Sequence, residues 1–369
     1  PTYTFQSGAR TLTVTDPGYT VHDPAYRYLF NSYYEAVGVR HPRPHRGLVT
    51  RPGAVEIGTY RQAIDIAMLE RLVNGSLGDD AQRLVELGCH HEQQHQELVL
   101  MDAKHLLSMN ALDPGYVARP LDPDVTPPPM TWRGVAGGMV EIGHDASGFA
   151  FDNESPRHAH HLQPFEIAER AVTNGDWLDF IADGGYQRAE LWLSDGWAKT
   201  QQEGWGAPAY WRCDDGEWTT FTLSGRRPVR AAEPVCHVSF YEADAFAHWA
   251  GGQWPGARLP TEQEWEVAAR DLADPVGALL DPDRCHPGVV GAAMIGDVWE
   301  WTASAYLPYP GFRPAPGAVG EYNGKFMSDQ HVLRGASAVT PRGHQRLTYR
   351  NFFPASARWA FSGLRLARS

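Results

Sequence analysis

The run "LDPDVTPPPMTWRG", residues 121–134, divides the chain into two stretches that cannot share one architecture. With Pro120 before it, the run holds five prolines and shows no helical period, so it reads as an extended linker. Before it, residues 20–112 read as helical. In "YRQAIDIAMLERLVNG" (60–75), Ile64, Ala67, Met68 and Leu72 fall on one stripe, and Asn74-Gly75 is a helix stop. "DDAQRLVELGCHHEQQHQELVLMDAKHLLSMN" (79–110) reads as a second, longer helix opened by Asp79 or Asp80. Such helices joined by short loops suggest a small antiparallel bundle over residues 1–120. After the linker, residues 135–369 are rich in Gly and Trp, with short β-like pieces such as "MVEIG" and "HVLRGAS". Two helical stretches, 173–185 and 239–252, interrupt them, each stopped by a Gly pair. Period-2 alternation is weak, so this half is expected to be a mixed α+β domain with much irregular structure, and no internal repeat is visible.

A length of 369 residues suits two domains, and 43% hydrophobic with 21% charged residues is ordinary for a globular chain with a real core. Thirteen Trp, fifteen Tyr and fourteen Phe point to an irregular fold held by large side chains, or to a site for flat or cationic ligands. The net charge of −12, without a Lys/Arg block, argues against a nucleic-acid surface. No apolar run approaches the roughly 18 residues a membrane span needs. The stretch "PTYTFQSGAR" carries no secretory h-region. Cys89, Cys213, Cys236 and Cys285 are widely spaced, which fits free thiols in a reducing cytoplasm. The expectation is a soluble cytoplasmic protein.

The stretch "LGCHHEQQHQELVLMD" (87–102) carries the chemistry. Residues four apart lie on one helix face, so His91 and His95 project side by side, the spacing two ligands of one metal need. A lone histidine is more often an ordinary polar residue, but a pair at this spacing flanked by Glu and Gln points to metal. His90 points about 100° away and is no partner for His91. The same residues spell H-E-x-x-H, which in a zinc protease makes Glu92 the general base. That reading needs a further ligand downstream, and position 98 is Leu, position 101 is Met, and no Glu occurs between Glu97 and Glu141. A bundle interior gathering nitrogen ligands from several helices is the better picture. It suits catalytic Fe(II) or Zn(II), between which composition does not choose.

"YLFNSYYEAVG" (28–38), "RPHRGLVTRP" (43–52), "LGCHHEQQHQEL" (87–98), "DNESPRH" (152–158), "VTNGDWLDFIADGGYQRAELWLSDGW" (172–197), "RLPTEQEWEVAAR" (258–270), "GDVWEWT" (296–302), "EYNGKFM" (321–327) and "LTYRNFFP" (347–354) together resemble the ergothioneine-pathway sulfoxide synthases. The match is ordered and runs from about residue 20 to residue 369. The resemblance implies a DinB-like four-helix bundle followed by a C-type-lectin-like domain of the formylglycine-generating-enzyme kind. It also implies an Fe(II) cofactor and a reaction. Hercynine (Nα-trimethylhistidine), a thiol and O2 are joined by C–S bond formation at the imidazole C2, with sulfoxidation. "NSYY" and the tail "EYNGKFM…LTYRNFFP" resemble the branch that uses free cysteine.

The resemblance also places functional residues. Tyr33 and Tyr34 match the active-site pair of the cysteine-using branch, where a phenol can donate a proton to activated oxygen. Gln94 matches a position that contacts the hercynine imidazole, and Glu97 one that supports a ligand from behind. Arg43 and Arg46 lie where relatives hold the carboxylate of the thiol substrate, a task for bidentate guanidinium. Phe352, Phe353 and Trp359 are candidates for the aromatic faces a trimethylammonium group wants. In "GDVWEWT", Trp299 and Trp301 are expected to pack the lectin-like core. Relatives carry the first iron ligand in a helix of pattern W-H-x-x-H-T-x-W-F-F-E. Here "PTYTFQSGARTLTVTD" stands at that place without a His, and His22, His41, His45 and His105 match no motif. The metal ligands assigned are therefore His91 and His95, with no third. Cys213, Cys236 and Cys285 do not reproduce by spacing the copper-binding cysteine pair of formylglycine-generating enzymes.

Four readings compete. The first is the Fe(II) sulfoxide synthase acting on hercynine and cysteine. The second is a related C–S or C–Se bond-forming enzyme of the selenoneine or ovothiol type, or one taking γ-glutamylcysteine. A zinc hydrolase is weakened by its absent ligand. A non-catalytic lectin-like binding module leaves the histidine pair unexplained.

Overall fold

The computed structural model describes residues 21–31, 39–118, 123, 125–271, 276–315 and 317–369. The chain divides into two compact units, one of Pro1–His95 with Arg313–Lys325, the other of Gln96–Phe312 with Phe326–Ser369.

In the first unit, α1 (Ala54–Val73) opens where the Glu56 carboxylate accepts the Gly53 N–H at 2.7 Å. Its buried stripe is Tyr60, Ile64 and Met68. Leu72, expected on that stripe, is 43% exposed, because it lies on the last turn beyond the apolar clusters. Ile64 and Tyr60 pack with Tyr26, Leu29 and Phe30, while Met68 packs with Leu77, Ala81 and Val85. Gly75, at φ +63°, reverses the chain in the left-handed region that glycine adopts without strain. The next helix, α2, runs over Asp79–Ser108, belonging to the first unit as far as His95 and to the second from Gln96, with Asp79 and Asp80 in its first turn to complement the helix dipole. Tightened turns, with N–H groups of Met109 and Asn110 bonding back three residues, end it.

The second unit is built from short strands. Strands β1 (Trp132–Val135), β4 (Phe165–Ala168) and β12 (Ala367–Arg368) form one sheet in the order β1-β4-β12. Residues 132–134, expected as the end of the linker, are thus strand, held by the register Trp132↔Ala168. Strands β2 (Gly138–Ile142) and β3 (His158–Leu162) make a hairpin, and β5 (Trp211–Asp214), β6 (Glu217–Thr222) and β7 (Gly225–Pro228) a meander. The central sheet has the order β10-β9-β8-β11, from β8 (Trp299–Ala305), β9 (Gln330–Gly335), β10 (Asn351–Pro354) and β11 (Ser362–Leu364), with only β8 and β11 parallel.

Among the described residues, four α-helices accompany these sheets. They are α3 (Asn174–Ala182), α4 (Ser194–Glu203), α5 (Phe240–Ala250) and α6 (Glu262–Arg270). Three open on reciprocal caps, Thr173 with Asp176, Ser239 with Glu242 and Thr261 with Glu264. The buried positions of α4 are Gly196 and Thr200, so it carries no apolar stripe. In α6, Trp265, Ala268 and Ala269 pack into the apolar core, and Glu262, Glu264 and Glu266 beside them are buried too, each paired with an arginine.

Trp299 and Trp301 are buried in the core, as expected from "GDVWEWT". Glu300 between them is buried too, bonded to Arg365 at 3.0 Å and to the Trp265 indole at 2.6 Å. Similar pairs recur, with Arg350 on Glu262 and Arg346 on Glu154. Such pairs add little net stability by themselves, but breaking one leaves a buried charge uncompensated. They fix irregular chain where ladders are short. Among the described residues no helix is long and apolar enough to cross a membrane.

Candidate metal and substrate site

Helix α2 presents His91 and His95 one turn apart, with ring centres 4.5 Å from each other at 84°. His91 is 8% exposed, and burial, reinforced by the neighbouring His95, pushes its pKa down to about 3. Burial also lowers His95. Both rings are therefore neutral near pH 7, the form in which imidazole ligates a metal. Two neutral nitrogens at this spacing fit a divalent transition ion as two of its ligands. Among the described residues, no group of three or more His, Cys, Asp or Glu gathers as a metal cage.

The other histidines have separate settings. His41 is buried with Nδ1 3.4 Å from the Tyr28 carbonyl, His22 lies against Tyr26 and Tyr60, and His105 meets the Tyr210 hydroxyl at 3.2 Å. His45 is exposed.

The first unit adds a residue that the motifs left without a role. Tyr322 lies between the short 3-10 turns Gly317–Glu321 and Gly324–Phe326. Its ring stands edge-on to His91 at 5.0 Å, and its hydroxyl donates to Gln94 Oε1 at 2.5 Å. Tyr322 sits in the quoted "EYNGKFM", but its partner is 228 residues away, so no periodicity could single it out.

Tyr33 and Tyr34 lie outside the described residues. The backbone at Arg43 and Arg46 belongs to the 3-10 segment Arg43–Thr50, and their side chains lie outside the described set. Phe352, Phe353 and Trp359 are in the second unit. Phe352 stacks on Tyr306 at 4.1 Å and 11°, while Phe353 and Trp359 meet edge-on at 6.1 Å. Trp359 is 41% exposed.

Glu97 does not stand behind a histidine. Its buried carboxylate accepts the Trp299 indole N–H at 2.6 Å and the Ser337 and Thr340 hydroxyls at 2.8 Å each. Burial raises its pKa against the opposing pull of those three bonds. Further along α2, buried Lys104 donates to His237 Nε2 and lies 4.9 Å over each of the Tyr210 and Phe361 rings. Desolvation pulls the Lys104 pKa down to about 8. All four cysteines are free, Cys89 and Cys213 exposed, Cys236 and Cys285 buried.

The model of the sulfatase-modifying factor enzyme 1-like domain matches residues 123–283 and 285–369. The chain is 37% identical to a hercynine oxygenase of Mycolicibacterium smegmatis, over 75% of this chain and 69% of that protein. It is 34% identical to a hercynine oxygenase of Mycobacterium tuberculosis, over 95% of this chain and 85% of that protein. A formylglycine-generating enzyme of Thermomonospora curvata is 30% identical over 58% of this chain and 81% of its own length.

Proposed function

Because the chain belongs to the hercynine oxygenase family and ends in a sulfatase-modifying-factor-like domain, we propose that it joins cysteine sulfur to C2 of the hercynine imidazole with O2, using Fe(II) held by His91 and His95. The chain is thus an oxidoreductase, with a lectin-like domain of the formylglycine-generating-enzyme kind. The observation that carries the finer reading is the pair of neutral imidazoles, 4.5 Å apart on one helix face. In this reading residues 1–120 are a DinB-like bundle that bears the metal pair, and the enzyme works in the cytoplasm on small molecules.

A ferrous ion held there supplies O2 activation and a common anchor for thiol and imidazole, giving the proximity that free solution lacks. The protein residues do the rest. Gln94, adjacent to His95, holds hercynine. Arg43 and Arg46 hold the carboxylate of cysteine through paired guanidinium hydrogen bonds. A phenol at Tyr33 or Tyr34 delivers a proton to the reacting oxygen. Phe352, Phe353 and Trp359 offer aromatic faces to the trimethylammonium. These assignments rest on the matching motifs.

The test is anaerobic incubation of the protein with Fe(II), hercynine and cysteine, followed by O2 and mass detection of the coupled sulfoxide. Product with γ-glutamylcysteine or a selenium donor, and none with cysteine, would overturn the donor assignment. Coupling without O2 uptake would sink the oxygenase chemistry.

A further inference from the structure

We propose that the outer face of the second half of α2, the row Leu98, Asp102, His105 and Met109, pairs antiparallel with the same row of a second copy of this chain. The protein is then a two-fold dimer in solution. The pairing is independent of the reaction proposed above.

The inward side of this half-helix is settled within the second unit, where Glu97, Met101 and Lys104 are buried. Glu97 is tied to Trp299, Lys104 to His237, and Met101 lies in the apolar cluster with Val298 and Phe361. At about 100° per residue, Leu98, Asp102, His105 and Met109 fall in one row roughly 110° round the helix, at spacings of four, three and four. Met109 stands in the tightened turn that ends α2, its N–H bonded back to the Leu106 carbonyl at 3.3 Å. Val99 and Leu106 flank the row, and all six residues are exposed. Val99, Leu106 and Met109 are 58%, 72% and 74% exposed, against 2% for Met101 on the same helix. An apolar face of this extent marks an interaction site. Its four large apolar side chains offer on the order of 500 Å², so a symmetric pair would bury about 1,000 Å², which is what a specific interface should clear.

The order of residues along the row selects the partner. Its two ends are apolar, and its two inner positions are an acid and a histidine. An antiparallel pair about a two-fold axis midway between Asp102 and His105 sets Leu98 against Met109 of the second copy. It also sets Asp102 against His105 of the second copy, and the symmetry repeats both contacts. A parallel pair would instead press Asp102 on Asp102, like charge on like. His105 Nδ1 lies 3.2 Å from the Tyr210 hydroxyl, so Nε2 is the nitrogen that can donate outward to a carboxylate. The row is therefore self-complementary, as an isologous interface requires. A polar pair inside an apolar stripe also fixes register, the use such pairs have between paired helices.

Sedimentation velocity of the whole protein from about 1 to 100 µM tests the proposal, since interfaces of modest area reach micromolar affinity. The mean mass of wild type should climb from monomer towards dimer. Leu106→Glu and Met109→Glu put an unpaired carboxylate into the apolar face, and each should weaken association at least about tenfold. Asp102→Lys faces a lysine with a histidine, and His105→Asp faces two acids, so each variant alone should associate severalfold more weakly. Mixed together, these two should dimerise nearly as wild type does, because every inner contact again joins a base to an acid. Asp102 and His105 are exposed, so the mixing experiment stands even where a glutamate variant fails to fold.

A wild type that stays monomeric throughout overturns the proposal. If Met109→Glu then also lowers the melting temperature of that monomer, the face is covered by another segment of the same chain. A dimer indifferent to both glutamate variants uses a different surface. A mixture of Asp102→Lys and His105→Asp that fails to recover the dimer rules out the antiparallel register.

Discussion

The Glu97 carboxylate accepts the indole N–H of Trp299 at 2.6 Å, joining helix α2 to strand β8 across 202 residues of sequence. The Ser337 and Thr340 hydroxyls complete its shell. Glu97→Ala would strand three buried donors at once. The expected loss is about 3 kcal/mol or more in urea unfolding, with Glu97→Gln costing less because it keeps an acceptor. A Glu97→Ala protein within about 1 kcal/mol of wild type would show that the cluster matters little.

Lys104 gives a pH signature. Its folded pKa of about 8 lies below the ordinary lysine value, so between about pH 8 and 10.5 the unfolded chain holds a proton that the folded chain has released. Stability contributed by Lys104 should therefore rise with pH through that window, by on the order of 1–3 kcal/mol, and be flat below it. Urea melts of wild type and Lys104→Met across this window test the sign. A difference that stays constant or falls as pH rises contradicts it.

Removing either imidazole should disable metal binding. Altering the partners behind a ligand typically costs about 10–100-fold in affinity, and losing the ligand itself should cost at least as much. His91→Ala and His95→Ala are each expected to weaken Fe(II) or Co(II) binding by about a hundredfold and to abolish product, with unchanged circular dichroism. Retained wild-type metal affinity in either variant would remove that residue from the ligand set.

Thiol accessibility should split the cysteines evenly. Cys89 and Cys213 are exposed, whereas Cys236 and Cys285 are buried, with burial pushing the Cys236 thiol up to about 12. Because the thiolate is the reactive form, a thiol reagent should modify two cysteines in the folded protein and four after denaturation. Rapid labelling of Cys236 in the folded state would contradict that packing.

Periodicity made α1 and α2 legible, since Ile64, Met68, His91 and His95 recur at helical spacing, and it failed where tertiary pairing replaces apolar burial. The clearest case is α6. Glu262 and Glu266 look like part of a solvated face, yet each is buried because Arg350 and Arg334 meet them from distant segments. No local window contains those arginines. Phe352 shows the same limit from the other side. Its stacking on Tyr306, 46 residues earlier in the chain, is a contact that no local pattern announces. Within the site, the adjacency of His91 and His95 was readable from a four-residue spacing, whereas the contact of Tyr322 with Gln94 exists only after the chain has travelled 228 residues. The repurposing of Glu97 was equally hidden, because Trp299, Ser337 and Thr340 come from strand β8 and the loop after β9.

The discontinuity of the first unit bears on any attempt to dissect this protein. Residues Arg313–Lys325 cluster with Pro1–His95, although more than two hundred residues of the other unit intervene. A truncation that ends after α2 would keep His91, His95 and Gln94 and yet discard Tyr322. Chimeras with a relative must therefore exchange the 313–325 excursion along with the helices, or they will join a glutamine from one parent to a tyrosine from the other.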